Sequence, residues 1–203
     1  MAFPTNHEAF LDDFRSATLA LLLIGSHRRW WRMPYRALNE SEQMPLCRLI
    51  WPWAEAGRNI GSPYHDMASQ QIAELLWRWT VDGVDVETGS VERNVVKHDP
   101  DLLPITQAAL DWINQNPSLS RSKHLTHEHT VPRKMLADQM IAQNMDINKM
   151  FELLRTFCKA VIITREEDAL ILPRRAMPAG WVWENGDPFA RYPAHMRNTI
   201  RWP

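Results

Sequence analysis

The sequence predicts a mainly α fold of the α+β kind: a helical, bundle-like N-terminal part followed by a C-terminal part with a small β element. Three observations predict it. Apolar residues recur at helical spacing over much of the first two-thirds of the chain. Val161-Ile162-Ile163 is a short β-branched run, most simply a buried strand. The polar stretch Ser118 to Lys123 separates the helical patterns from a histidine-rich segment, and β structure is expected around 124–130 and 160–164. The expected division is residues 1–117 as a helical partner-binding or substrate-positioning region and residues 118–203 as the functional region with a Pro/Trp-rich tail.

The elements follow in order. Thr5 and Glu8 have the spacing of a capping box, and Phe10, Phe14, Ala17 and Leu21 continue a helical face until Gly25-Ser26. His27 to Arg32 is basic and aromatic. It reads either as a phosphate or base-stacking surface or as a loop whose tryptophans pack on the core, and packing is the commoner use of such residues. Pro34, Pro45 and Pro52 predict loop and short helices. Ser62-Pro63 predicts a helix start, with Met67, Ile72, Leu75, Leu76 and Trp79 as its apolar face, ending near Gly83. Asp82 to Asn94 predicts a loop or small hairpin. Pro104 to Asn116 and Lys134 to Gln143 predict helices, and Asp146 predicts the N-cap of another. Thr164 and Glu167 have capping-box spacing, which predicts a short helix through Leu170. Five prolines and three tryptophans after Leu172 predict an irregular tail held by aromatic anchors.

Composition excludes some function classes. The 203 residues make one full domain or two small ones, and 45% apolar residues suffice for a core. A net charge of −1 argues against coating nucleic acid by bulk charge and leaves room for a local basic site. Cys47 and Cys158 form no C-x-x-C pair, so a four-cysteine zinc site within the chain is excluded and reduced thiols are expected. Glu8, Asp12 and Asp13 precede the first apolar run without a basic segment, unlike a signal peptide. Leu19 to Ile24 is too short to cross a bilayer. A cytoplasmic protein with no membrane partner is the expectation.

The chemistry concentrates at Lys123-His124-Leu125-Thr126-His127-Glu128-His129-Thr130-Val131-Pro132-Arg133-Lys134. A neutral imidazole binds a metal or accepts a proton from water. A carboxylate beside it holds a hard divalent cation. Arg133 and Lys134 are suited to a phosphate. Adjacent residues of a regular strand point to opposite faces, so Glu128 and His129 enter one site only at a strand end or bulge, an irregularity that Pro132 makes plausible. His127 and His129 share a face. Glu166 or Glu167 is placed to complete a metal site with Glu128, though acidic residues in a first helical turn also serve its dipole. Arg174-Arg175 and Arg191-Tyr192 are further candidates for phosphate contact.

The string Thr126 to Arg133 resembles the first motif of the HNH, or ββα-metal, nucleases, in which an acidic residue and a histidine are followed by two residues and a proline. The resemblance implies a metal-dependent phosphodiesterase acting on nucleic acid, DNA before RNA. Glu128 would ligate Mg²⁺, Mn²⁺ or Zn²⁺, with His127 and Glu167 as further ligands. His129 would be the general base, and Arg133 and Lys134 would hold phosphate. Asn144 and Asn148 are candidates by position for the asparagine of the second motif. The near-neutral charge suggests another protein subunit that supplies affinity for nucleic acid.

Two other readings remain open. The ten tryptophans suit a non-catalytic helical protein–protein interaction module with a Trp-rich binding surface. A structural metal site that ties the linker down is the third. Convergence of Glu128 and His129 on one point in a cleft separates the first reading from the second.

Overall fold

The computed structural model describes residues 35–60 and 63–203, and residues 35–203 cluster as one compact unit. The expected capping box at Thr5, the helix through Leu21, the basic aromatic stretch at 27–32 and the capping residue Ser62 lie outside the described residues. Among the described residues the fold is mixed α+β and mainly α, as the periodicity predicts. In chain order the elements are β1 (Tyr35–Ala37), α1 (Glu40–Ile60), α2 (Tyr64–Val81), β2 (Gly83–Asp85), β3 (Val91–Glu92) and α3 (Gln107–Gln115). A 3-10 turn at Arg121–Lys123 leads to β4 (Leu125–His129), α4 (Arg133–Ala142), α5 (Ile147–Phe157), β5 (Ala160–Thr164), α6 (Arg165–Asp168) and α7 (Ala194–Arg197).

Helix α1 departs from the expected loop and short helices. It runs for 21 residues straight through Pro45 and Pro52. Each proline lacks an N–H, which frees the carbonyl four residues earlier, here Ser41 and Arg48. Both prolines and both of those residues are exposed, so the missing helix bonds fall on the solvent side of the helix. On the opposite face Cys47, Ile50, Ala54 and Gly57 are buried. Gly57 permits a close approach to α2, because a Cβ there would stand 2.9 Å from Cβ of Ala68. Tertiary packing therefore outweighs the local cost of proline.

The main core joins α1 and α2 (Ile50, Ile72, Leu76) to α4 and α5 (Leu136, Met140, Met150, Leu154). It thus crosses the polar stretch at 118–123, so the expected boundary does not divide it. The hairpin expected at 82–94 is present as β2–β3, with β1 paired antiparallel to β2. β4 and β5 form a separate antiparallel pair with Leu125 opposite Thr164 and His129 opposite Ala160. One face of that pair, with Leu125 and Ile162, packs on α3. The other, with Val161 and Ile163, packs on Ile171, Tyr192 and Met196. Thr106, Asp146 and Thr164 cap the helices that follow them, and Thr164 with Glu167 forms the complete capping box expected. No helix among the described residues is long and apolar enough to cross a membrane.

Candidate functional site

Burial alternates along β4: Leu125, His127 and His129 are buried, while Thr126 and Glu128 are half-buried. The pairing with β5 is regular through His129 and continues with Thr130 N–H to the Lys159 carbonyl at 2.9 Å. The bulge that would turn Glu128 and His129 toward one point is therefore absent, and the two side chains leave opposite faces of the strand.

On the first face the two imidazoles meet one hydroxyl. Thr80 Oγ1 of α2 lies 2.9 Å from His127 Nε2 and 3.0 Å from His129 Nε2. His127 Nδ1 faces the Lys97 carbonyl at 3.1 Å. Trp77 covers both rings, with centroids 5.1 and 5.7 Å away. Lys97 and Arg133 each stand 5.0 Å from the Trp77 ring. Both histidines are 5% exposed. Burial holds His127 down to about 3 and His129 well below the ordinary imidazole value, and the Arg133 charge adds to both.

On the second face Glu128 forms an ion pair with Arg191, whose side chain is 1% exposed. The guanidinium also donates to the carbonyls of His129 (2.6 Å), Thr130 (3.1 Å), Pro173 (3.2 Å) and Arg174 (2.9 Å). Burial pushes the Glu128 carboxyl up and outweighs the opposing pull of Arg191, and Asp168 of α6 raises it further. Beside this pair the buried Tyr192 hydroxyl has no hydrogen-bond partner. Burial, then the Glu128 carboxylate, lifts it well above the usual phenol value.

The remaining candidates stand apart. Glu167 accepts from the Thr164 N–H at 2.9 Å and from Thr106 Oγ1 at 2.7 Å, so it serves the capping box. Arg133 donates to the Ala73 carbonyl at 2.7 Å. Lys134 pairs with Asp138 at 3.1 Å on an exposed face. His124 is exposed and stacks on Trp112 at 4.7 Å. Asn144 accepts from Arg58 at 2.9 Å. Among the described residues no group of three or more His, Cys, Asp or Glu side chains is placed to hold a metal ion.

The sequence reading did not find Thr80, Trp77 or Asp168. Thr80 and Trp77 lie on a helix nearly fifty positions before β4, and local spacing carries no signal for that pairing. Comparison with protein-family models, with curated proteins and with solved structures finds no match.

Proposed function

We propose that the chain is a non-catalytic helical protein–protein interaction module, in which the β4 histidines and Glu128 brace the core. One observation carries this reading. His129 is 5% exposed with Nε2 on Thr80 Oγ1, and Glu128 lies across the strand in a pair with Arg191. A general base must reach the proton it removes, directly or through one water, and the enclosed His129 ring is poorly placed for that. The docking surface is the groove of about 520 Å³ between α1 and α5. Trp51, Met44 and Ile147 give it apolar walls, and Arg48 and Asp146 line it with opposite charges. Such a groove suits an apolar side chain of a partner protein flanked by charged residues. The test compares wild type with Arg48→Glu/Ile147→Asp. The variant should lose a co-purifying protein partner while melting as wild type does. Retention of the same partner would remove the groove from the reading.

A second reading, a metal-dependent phosphodiesterase acting on nucleic acid, has one specific observation in its favour. β4 pairs antiparallel with β5, and β5 runs directly into α6, so two paired strands stand beside a helix as the resemblance to ββα-metal nucleases implies, although α4 and α5 separate the strands in the chain. In that reading Mg²⁺ or Mn²⁺ would be held from the Glu128 face, with Asp168 rather than His127 or Glu167 beside it. The fit is partial, because Arg191 already neutralises Glu128. Cleavage of plasmid or single-stranded substrates by wild type with either ion, and its loss in Glu128→Gln, would put this reading in place of the first.

A further inference from the structure

A tryptophan-lined turn closes over the end of α5. Trp181 donates from Nε1 to the Asp187 carbonyl at 2.9 Å, and Asp187 pairs with Arg197 at 2.9 Å. Gly186 lies so near Trp181 that a Cβ there would stand 2.4 Å from the indole. Trp183 packs edge-to-face on Trp181 (4.7 Å, 75°) and on Phe157 (5.3 Å, 89°). Ring pairs at such angles and spacings are favourable, so Trp183 is held in place by the protein itself. With Phe157, Leu153 and Met145 it walls an open cleft of about 340 Å³.

The charges around this cleft do not cancel. Lys149 lies 3.9 Å from Asp146, and Arg155 holds Glu152 at 2.8 Å. Glu184 lines the cleft next to Trp183, is exposed and, among the described residues, makes no ion pair. Thr156 and Phe157, also in the lining, belong to the last turn of α5, where the helix carbonyls carry partial negative charge. A free carboxylate, a helix carboxyl end and an aromatic wall all favour a cation with an apolar face. We propose that the cleft receives an arginine side chain of a partner protein, with the guanidinium at Glu184 and against Trp183. Arginine fits better than lysine because its planar, weakly hydrated group stacks on aromatic rings and forks onto a carboxylate. The proposal rests on the interaction reading and adds a second contact to it, since α5 carries Ile147 into the first groove and Leu153 into this one.

The test titrates the full chain with the blocked peptide acetyl-Gly-Arg-Gly-amide and with its neutral citrulline counterpart. Nitrogen-15 spectra follow the Trp183 indole signal, assigned by its loss in Trp183→Phe. The arginine peptide should shift that signal saturably, with an affinity of about 1 mM, as one side chain can supply. Citrulline should bind about tenfold more weakly, since it keeps the shape and loses the charge. Glu184→Gln should weaken the arginine peptide about twofold to fivefold, the range of an exposed ion pair. Arg48→Glu/Ile147→Asp should bind it as wild type does. Equal affinity for citrulline, an unchanged affinity in Glu184→Gln, or a Trp183 signal that does not move would each overturn the proposal. Loss of the peptide in Arg48→Glu/Ile147→Asp would also overturn it, by moving the site to the first groove. The two readings fail separately. A co-purifying partner retained by that variant removes the first groove and leaves this cleft standing. A partner lost by it, with no arginine binding at Trp183, removes only the cleft.

Discussion

Arg191 ties together more of the chain than any side chain near β4. Its five hydrogen bonds reach Glu128, the carbonyls that follow β4 and the turn at Pro173-Arg174. Lysine cannot reproduce a planar fork of donors. Arg191→Met would leave the half-buried Glu128 without its partner and should lower stability by less than the ~3–5 kcal/mol that breaking a fully buried pair costs. A chemical-denaturation midpoint near that of wild type would show that the pair contributes little. The two β4 histidines make a pH-dependent contribution. Their folded values lie below the unfolded value, His127 at about 3. Between about 6.5 and 3 the unfolded chain therefore binds more protons than the folded one, and stability falls as pH falls through that window. The raised Glu128 carboxyl works in the opposite direction just above the ordinary carboxylate range. Two histidines outweigh one carboxyl, so the urea midpoint should be lower at pH 5 than at pH 7. A flat or rising midpoint would mean that the rings are already charged in the folded state.

Elements differ in how far the sequence announces them. The capping box at Thr164 and Glu167 and the cap at Asp146 were legible because the donor and acceptor lie three residues apart. Thr164→Ala should cost about 0.5–2 kcal/mol, read as a lower melting temperature; an unchanged value would mean that α6 needs no cap. The β-branched run of β5 was legible for the same local reason. Helix α1 was not, because Pro45 and Pro52 are local signals against a helix and only the packing of Cys47, Ile50 and Ala54 on α2 decides for one. That conflict makes a prediction. Pro52 is exposed, and alanine there would restore an N–H to the Arg48 carbonyl. Proline costs about 3 kcal/mol against alanine in a helix interior, and the stiffer unfolded chain returns about 0.4–1 kcal/mol of that. Pro52→Ala should raise the melting temperature. A drop would mean that α1 needs the bend for its fit to α2.

At the scale of the whole molecule the histidine string was found in the sequence, but its surroundings were not. His127, Glu128 and His129 sit on one strand as expected, yet their partners Thr80, Lys97 and Arg191 come from before and well after it. The same long-range assembly governs stability. Ile72 and Leu76 share a core with Leu136, Met140 and Leu154. Arg58 of α1 donates to the Met140, Ile141 and Gln143 carbonyls around the end of α4. Ile105 bridges to both Ile162 and Arg201, so the last residues are stitched to the segment before α3. A cut at residue 117 would expose the inner faces of α1, α2, α4 and α5 together and strip Thr80 from the histidines. Each buried Leu or Ile side chain so exposed loses about 1.5–3 kcal/mol, against a total stability of about 5–15 kcal/mol for a domain. Fragments 1–117 and 118–203 should therefore each lack dispersed amide signals when expressed alone. Mixed together, they should regain the spectrum of the intact chain, because the pieces of the shared core would again be present. A dispersed spectrum from either fragment alone would show that it folds by itself, and would restore the boundary that the polar stretch at 118–123 suggests.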